Sequence, residues 1–157
     1  MTIKGCLEED FTNYKKPSMF IIFPYCTFKC DKENGNQFCQ NWSLTKQPNI
    51  GISTNSIVQH YINNPITKAV VCGGLEPLES FEDLYEFISF LRAVTDDDVV
   101  IYTGYNEDEI QDKILLLKKY KNIIIKFGRF RPNENKHYDE VLGVDLASNN
   151  QYAKKIS

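Results

Sequence analysis

The sequence predicts an α/β protein: an incomplete, open (βα) barrel with a curved, mainly parallel sheet. Three observations carry that expectation. Short apolar runs rich in Val and Ile recur along the chain, the pattern of strands buried on both faces. Segments with helical spacing of apolar residues and polar, cap-like starts alternate with them. The chain has 157 residues, whereas a full eight-unit barrel takes about 250, so only part of one can form.

The predicted strands are Met19–Phe23, Ala69–Cys72, Val99–Thr103, Asn122–Phe127 and Glu140–Leu146. Between them, Ser53, Thr54 or Asn55 can cap a helix with apolar positions Ile57, Val58, Tyr61 and Ile62. Ser80 can cap the next, with Asp83 at its third position and Phe81, Leu84, Tyr85, Ile88 and Leu91 along one face. Asn106 can cap a third. Its first turn holds Glu107, Asp108 and Glu109 and its last Lys118 and Lys119, which suits the helix dipole, while Ile110, Ile114 and Leu117 line the buried side. Repeated βα units with short connections imply right-handed crossovers and a parallel sheet. No repeat, linker or low-complexity run divides the chain, so residues 1–157 read as a single domain.

Composition narrows the class. With 42% hydrophobic and 25% charged residues, neither disorder nor a membrane protein is expected. No apolar stretch approaches a bilayer span. MTIKGCLEEDF lacks the apolar core of a signal peptide, so a cytoplasmic protein is expected. A net charge of −3 with interspersed signs gives no basic stripe for nucleic acid. The cysteines are Cys6, Cys26, Cys30, Cys39 and Cys72, an odd set that argues against a disulfide scaffold.

Ligands in folds of this class collect beyond the carboxyl ends of the strands. Each of the first four strands runs into an unusual segment there: Pro24-Tyr25 and three cysteines, then Gly73-Gly74-Leu75-Glu76-Pro77, Thr103-Gly104-Tyr105, and Phe127-Gly128-Arg129. All four endings should share one rim. Cys26, Cys30 and Cys39 have the spacing C-x3-C-x8-C. Taken alone, that trio fits an iron–sulfur cluster, a structural zinc site or unrelated thiols. A zinc ion wants a fourth ligand, and neither His60 nor His137 lies at a finger-like spacing. A cubane on three cysteines leaves one iron for an external ligand, and Gly73-Gly74 would let backbone approach it closely.

The cysteine loop with Phe38 before its last Cys, followed by GGLEP at 73–77, resembles the radical S-adenosylmethionine superfamily. IYTGY (101–105), KFGRF (126–130) and ASNNQ (147–151) make the chain similar to the activating proteins of anaerobic ribonucleoside-triphosphate reductase. The likeness runs from about residue 17 to the C-terminus. It departs from the family pattern in three places. Six additional residues separate Cys30 from Cys39, Leu75 interrupts the glycine–glutamate–proline motif, and Phe127-Gly128 stands where aspartate-glycine is usual. The polar insertion, with Gly35, is expected to bulge outward while Phe38-Cys39 returns to place.

The resemblance implies that Cys26, Cys30 and Cys39 hold a 4Fe-4S cluster whose unique iron takes S-adenosyl-L-methionine. Reductive cleavage would then release methionine and a 5′-deoxyadenosyl radical. The chemistry belongs to the cofactors, so no side chain is expected to act as acid or base. By the same resemblance, Gly73, Gly74 and Glu76 hold the methionine amino group, Phe38 lies near the adenine, and Thr103 faces the cofactor. From charge and location at the end of the fourth strand, Lys126 or Arg129 is expected to pair with its carboxylate. The implied partners are the large subunit of the reductase, whose glycine is the radical's target, and an electron donor such as flavodoxin or ferredoxin. No nucleic acid or membrane partner is implied. Rival readings are a related radical enzyme acting on another protein or peptide, and a non-catalytic iron–sulfur or zinc module that binds a protein. Cys6 is expected to be incidental, Cys72 to pack, and His60 and His137 to be surface residues.

Overall fold

In a computed structural model, residues 1–157 are all described. The strands are β1 (Thr2–Ile3), β2 (Gly5–Asp10), β3 (Ser18–Phe23), β4 (Ile50–Gly51), β5 (Ala69–Gly74), β6 (Asp98–Tyr102), β7 (Ile123–Phe127), β8 (His137–Asp139), β9 (Val144–Leu146) and β10 (Tyr152–Lys155). The helices are α1 (Lys29–Asn34), α2 (Thr54–Asn63), α3 (Phe81–Arg92) and α4 (Gln111–Leu117). No helix is long and apolar enough to cross a membrane.

Six strands form a mixed sheet in the order β10-β7-β6-β5-β3-β2. The four central strands are parallel, and β2 and β10 pair antiparallel at the edges. Chain-consecutive parallel strands lie side by side, so each crossover through α2, α3 and α4 steps in the same direction. The helices consequently pack on one face. Met19, Ile21, Phe23, Cys72, Ile101 and Ile125 meet Ile57, Leu84, Phe87, Ile88 and Leu117 there. The period-two alternation of strands sends Val71, Val100 and Ile124 to the other face. Tyr14, Leu142, Leu146 and Ala153 cover that face. Burial on both sides is why these strands read as unbroken apolar runs.

Several elements differ from the sequence expectation. The run Glu140–Leu146 is not one strand. Asp139 Oδ1 accepts the Leu142 amide at 2.9 Å, and Gly143 turns at φ 72°, so residues 140–143 form the turn of a β8–β9 hairpin. Ser80 does not cap α3 with its side chain; its hydroxyl is buried without a partner. A 3-10 turn at Pro77–Ser80 starts the segment upstream, capped by the Glu76 carboxylate, and Asp83 instead accepts the Thr2 amide at 2.8 Å. Ser53 caps α2 as expected, accepting the Ser56 amide at 3.1 Å, although Ile62 faces solvent. The edge strands β2 and β10 carry charge along exposed positions, Glu8 and Glu9 in one and Lys154 and Lys155 in the other. Such edges resist further pairing but leave little apolar periodicity to find.

The glycines at the end of β5 are fixed by the neighbouring strand. A Cβ on Gly73 would stand 2.8 Å from the Phe20 ring. Gly74 has φ +83°, and a Cβ there would lie 2.5 Å from Ile22 Cγ2 and 3.1 Å from Ile22 Cα. Gly35, at φ +74°, has open space around it. Gly74→Ala is therefore predicted to cost about 2–3 kcal/mol, from the left-handed backbone plus overpacking, against about 1 kcal/mol for Gly35→Ala. Urea unfolding of the two variants checks this; equal losses would contradict it.

Candidate cluster and cofactor site

A cavity of about 480 Å³ opens beyond the carboxyl ends of β3, β5, β6 and β7. Parallel register brings those ends to one level, with Ile22 opposite Gly73, Cys72 opposite Ile101 and Tyr102 opposite Lys126. Cys26, Cys30 and Cys39 all line the cavity, as do Gly74, Glu76, Thr103 and Lys126. Phe38 and Gly73 do not. Phe38 is 38% exposed, and the side of Gly73 that would bear a Cβ meets the Phe20 ring.

The cysteine loop leaves β3 through Pro24-Tyr25 and turns at Phe28, a left-handed residue at φ 53°. Helix α1 then carries Cys30, and Gly35 ends it at φ 74°. The inserted residues do not simply bulge into solvent, because their first half is helical and tied down. Asn34 Nδ2 donates to the Cys30 carbonyl at 2.7 Å and to the Phe130 carbonyl at 3.3 Å. Glu33 Oε1 lies 3.1 Å from Arg129 Nε, an ion-pair distance without hydrogen-bond alignment. Lys29 Nζ sits 4.4 Å from the centre of the Tyr105 ring, a cation–π contact. The loop is thus strapped across the cavity mouth to the segments that follow β6 and β7.

The thiols have unequal environments. Cys30 and Cys39 are free thiols whose mutual influence pushes the Cys30 thiol up and draws Cys39 below the usual thiol value. Burial lifts Cys26 to about 12, opposed by the Phe28 amide donating to its sulfur at 3.2 Å. The Asn41 amide donates to Cys39 Sγ at 3.4 Å. Three soft donors on one half-buried loop, with amides aimed at two sulfurs, fit an iron–sulfur cluster. No group of three His, Cys, Asp or Glu side chains is gathered around a single-ion position; a cubane instead spreads its thiolates over separate irons. Cys6 and Cys72 do not line the cavity, and Cys72 is fully buried in the helix-side core. Of the five free cysteines, Cys26, Cys30 and Cys39 are the ones that line the cavity.

Around them the rim is braced by buried polar groups. Glu76, 5% exposed, accepts the Leu78 amide at 3.1 Å and the Gly104 amide at 2.8 Å, joining the segments after β5 and β6. The Thr103 hydroxyl accepts the Tyr105 amide at 3.0 Å. Arg129 is committed to Glu109 through two bonds of 2.7 and 2.6 Å, and the pairing pulls that carboxyl down to about 2. Lys126 is different. Its ammonium donates to the Gly128 carbonyl at 3.0 Å and has no carboxylate salt bridge, while burial lowers it to about 8. Of the two cations read from the sequence, Lys126 is the one without a carboxylate salt bridge. The Gly74 carbonyl accepts from Asn41 Nδ2 at 2.6 Å and keeps a second lone pair.

Sequence reading missed Asn41, Asp31 and Trp42. Asp31 is buried although it begins a polar stretch, and Trp42 is the only tryptophan in the chain. Asp31 meets residues seven to eleven positions away and Asn41 reaches Gly74, 33 positions on, separations that no local pattern announces. His60 pairs with Glu8 at the surface, as expected of a surface histidine. His137 is not simply solvated, since its Nδ1 is buried without a partner.

Burial raises the Glu76 carboxyl to about 7. The folded state then holds that proton more tightly than the unfolded chain does. Its contribution is fully present below the unfolded value of about 4.3 and is lost as pH rises through 7. Between pH 4.5 and 7.5 the unfolding free energy of the metal-free wild type should fall by on the order of 3 kcal/mol relative to Glu76→Gln. Urea unfolding at a series of pH values measures it; parallel curves for the two proteins would contradict the assignment.

A family model described as a 4Fe-4S single cluster domain matches residues 17–152. No curated protein and no solved structure matches the chain. The matched span takes in the whole cysteine loop and the four parallel strands whose ends surround it. The chain belongs to the family of 4Fe-4S single cluster domains.

Proposed function

We propose that this protein is a radical S-adenosylmethionine activating enzyme, built on an incomplete barrel, that installs a glycyl radical on anaerobic ribonucleoside-triphosphate reductase. The observation that carries the reading is a single cavity. Three cysteines of one loop, the Gly74 backbone and the buried Lys126 ammonium all line it, beyond the carboxyl ends of four parallel strands.

Cys26, Cys30 and Cys39 would hold the cluster, which when bound supplies the electron that cleaves S-adenosyl-L-methionine. The chain's own residues bind and orient. The free lone pair of the Gly74 carbonyl is a hydrogen-bond acceptor for an ammonium group. Lys126 offers a charge-assisted bond to a carboxylate from a site nearly closed to water. Glu76 holds the ends of β5 and β6 at a fixed separation through its two amide bonds, so both segments face the ligand in one geometry. Cys30 and Cys39 must give up their protons for ligation, which makes loading weaker as pH falls. The cavity reaches from the cluster loop to Thr12, Asn13 and Asp145 on the far side, leaving a route for a reductase segment bearing the target glycine. Flavodoxin or ferredoxin would deliver the electron.

Anaerobic incubation of the reconstituted protein with dithionite and S-adenosyl-L-methionine should yield 5′-deoxyadenosine. Addition of the reductase should produce a glycyl-radical EPR signal. Cys26→Ala, Cys30→Ala and Cys39→Ala should each abolish the nucleoside product. Lys126→Met should weaken cofactor binding by about tenfold, through loss of one charge-assisted contact. Product formation retained in all three cysteine variants would overturn the proposal. Product without a glycyl radical on the reductase would point to a different protein or peptide target. No product from a sound cluster would leave a non-catalytic iron–sulfur module.

A further inference from the structure

The eight residues between Cys30 and Cys39 pose a physical problem. The cost of bringing the ends of a flexible segment together grows with its length, yet Cys39 has to stand beside Cys30. Asp31 meets that difficulty. Its side chain is buried at 8% exposure in the first turn of α1. Oδ1 accepts the Phe38 amide at 2.9 Å and the Cys39 amide at 2.8 Å, and Oδ2 accepts the indole N–H of Trp42. Trp42 in turn stacks on Phe28, with ring centres 4.2 Å apart and planes 5° from parallel. Phe28 lies between Cys26 and Cys30 and donates its amide to Cys26 Sγ. One carboxylate and one ring pair therefore join the backbone around all three cysteines.

We infer that Asp31 is the positioning residue that holds Cys39 in register with Cys26 and Cys30, with Trp42 as its second anchor. The inference rests on the reading of the trio as cluster ligands. Charge does not explain the placement, because an anion beside Cys30 and Cys39 opposes thiolate formation at both. What Asp31 supplies is geometry: one fixed acceptor for two consecutive amides of the returning strand, strengthened by its charge. The two bonds close the segment from Cys30 to Cys39 through protein groups alone.

Two measurements test this, one without metal. In the metal-free protein, amide hydrogen exchange at Phe38 and Cys39 should be slow in wild type and fast in Asp31→Ala, with the urea midpoint little changed. In the reconstituted protein, iron release to a chelator should be about tenfold faster in Asp31→Ala than in wild type, the scale of a lost outer partner of a metal ligand. Asp31→Asn keeps an acceptor oxygen but turns an N–H toward the Trp42 indole. It should release iron faster than wild type and be partly rescued in the double variant Asp31→Asn/Trp42→Phe. Wild-type exchange and iron-release rates in Asp31→Ala, iron release that merely follows a lowered urea midpoint, or no rescue in the double variant would each overturn the inference. Failure of wild type itself to load iron would overturn the cluster reading and this inference with it, whatever the exchange data show.

Discussion

The parallel register of β3, β5, β6 and β7 is the constraint on which the site depends. Because the strands pair in chain order without a register shift, their carboxyl ends finish at one level, and four loops open onto one cavity. The close packing that permits this is visible at β3 and β5. Phe20 and Ile22 stand where side chains on Gly73 and Gly74 would have to go. The two glycines thus serve the sheet first. The free backbone that Gly74 presents to the cavity follows from that packing.

Polar groups buried at the rim convert the open ends into a fixed frame. Glu76 ties the ends of β5 and β6 through two amides, and Arg129 ties the end of β7 to Glu109 and the cysteine loop through Glu33. A buried carboxylate or guanidinium left alone would be costly, so each of these partners holds the others in place. Lys126 breaks the pattern. It is buried with only a backbone carbonyl as acceptor, and its lowered proton affinity records the cost of that burial. A cation held in that way suits a ligand that brings the missing anion.

The central strands were legible because burial on both faces leaves unbroken Val and Ile runs, as in Ile123–Phe127. The cysteine loop was legible because three thiols within a short stretch have few structural uses. What escaped was of two kinds. Edge strands such as Tyr152–Lys155 bury one side only and carry lysines, so their alternation is weak. Asp31 looked like part of a polar bulge, since its amide donors come from a segment that folds back onto it. The turn at Glu140–Gly143 was hidden by apolar residues; the Asp139 side chain on the Leu142 amide and the left-handed Gly143 make it. Phe38, placed near the adenine by resemblance, is not among the residues that line the cavity.

The proposed radical chemistry requires three thiolates that leave one iron open to an outside ligand. Iron and sulfide analysis with EPR of the anaerobically reconstituted, reduced protein, recorded with and without S-adenosyl-L-methionine, tests that most directly. The expected result is about four irons per chain and a reduced-cluster signal that changes when the cofactor is added. Zinc in place of iron, or a cluster whose spectrum is the same with and without the cofactor, would contradict it.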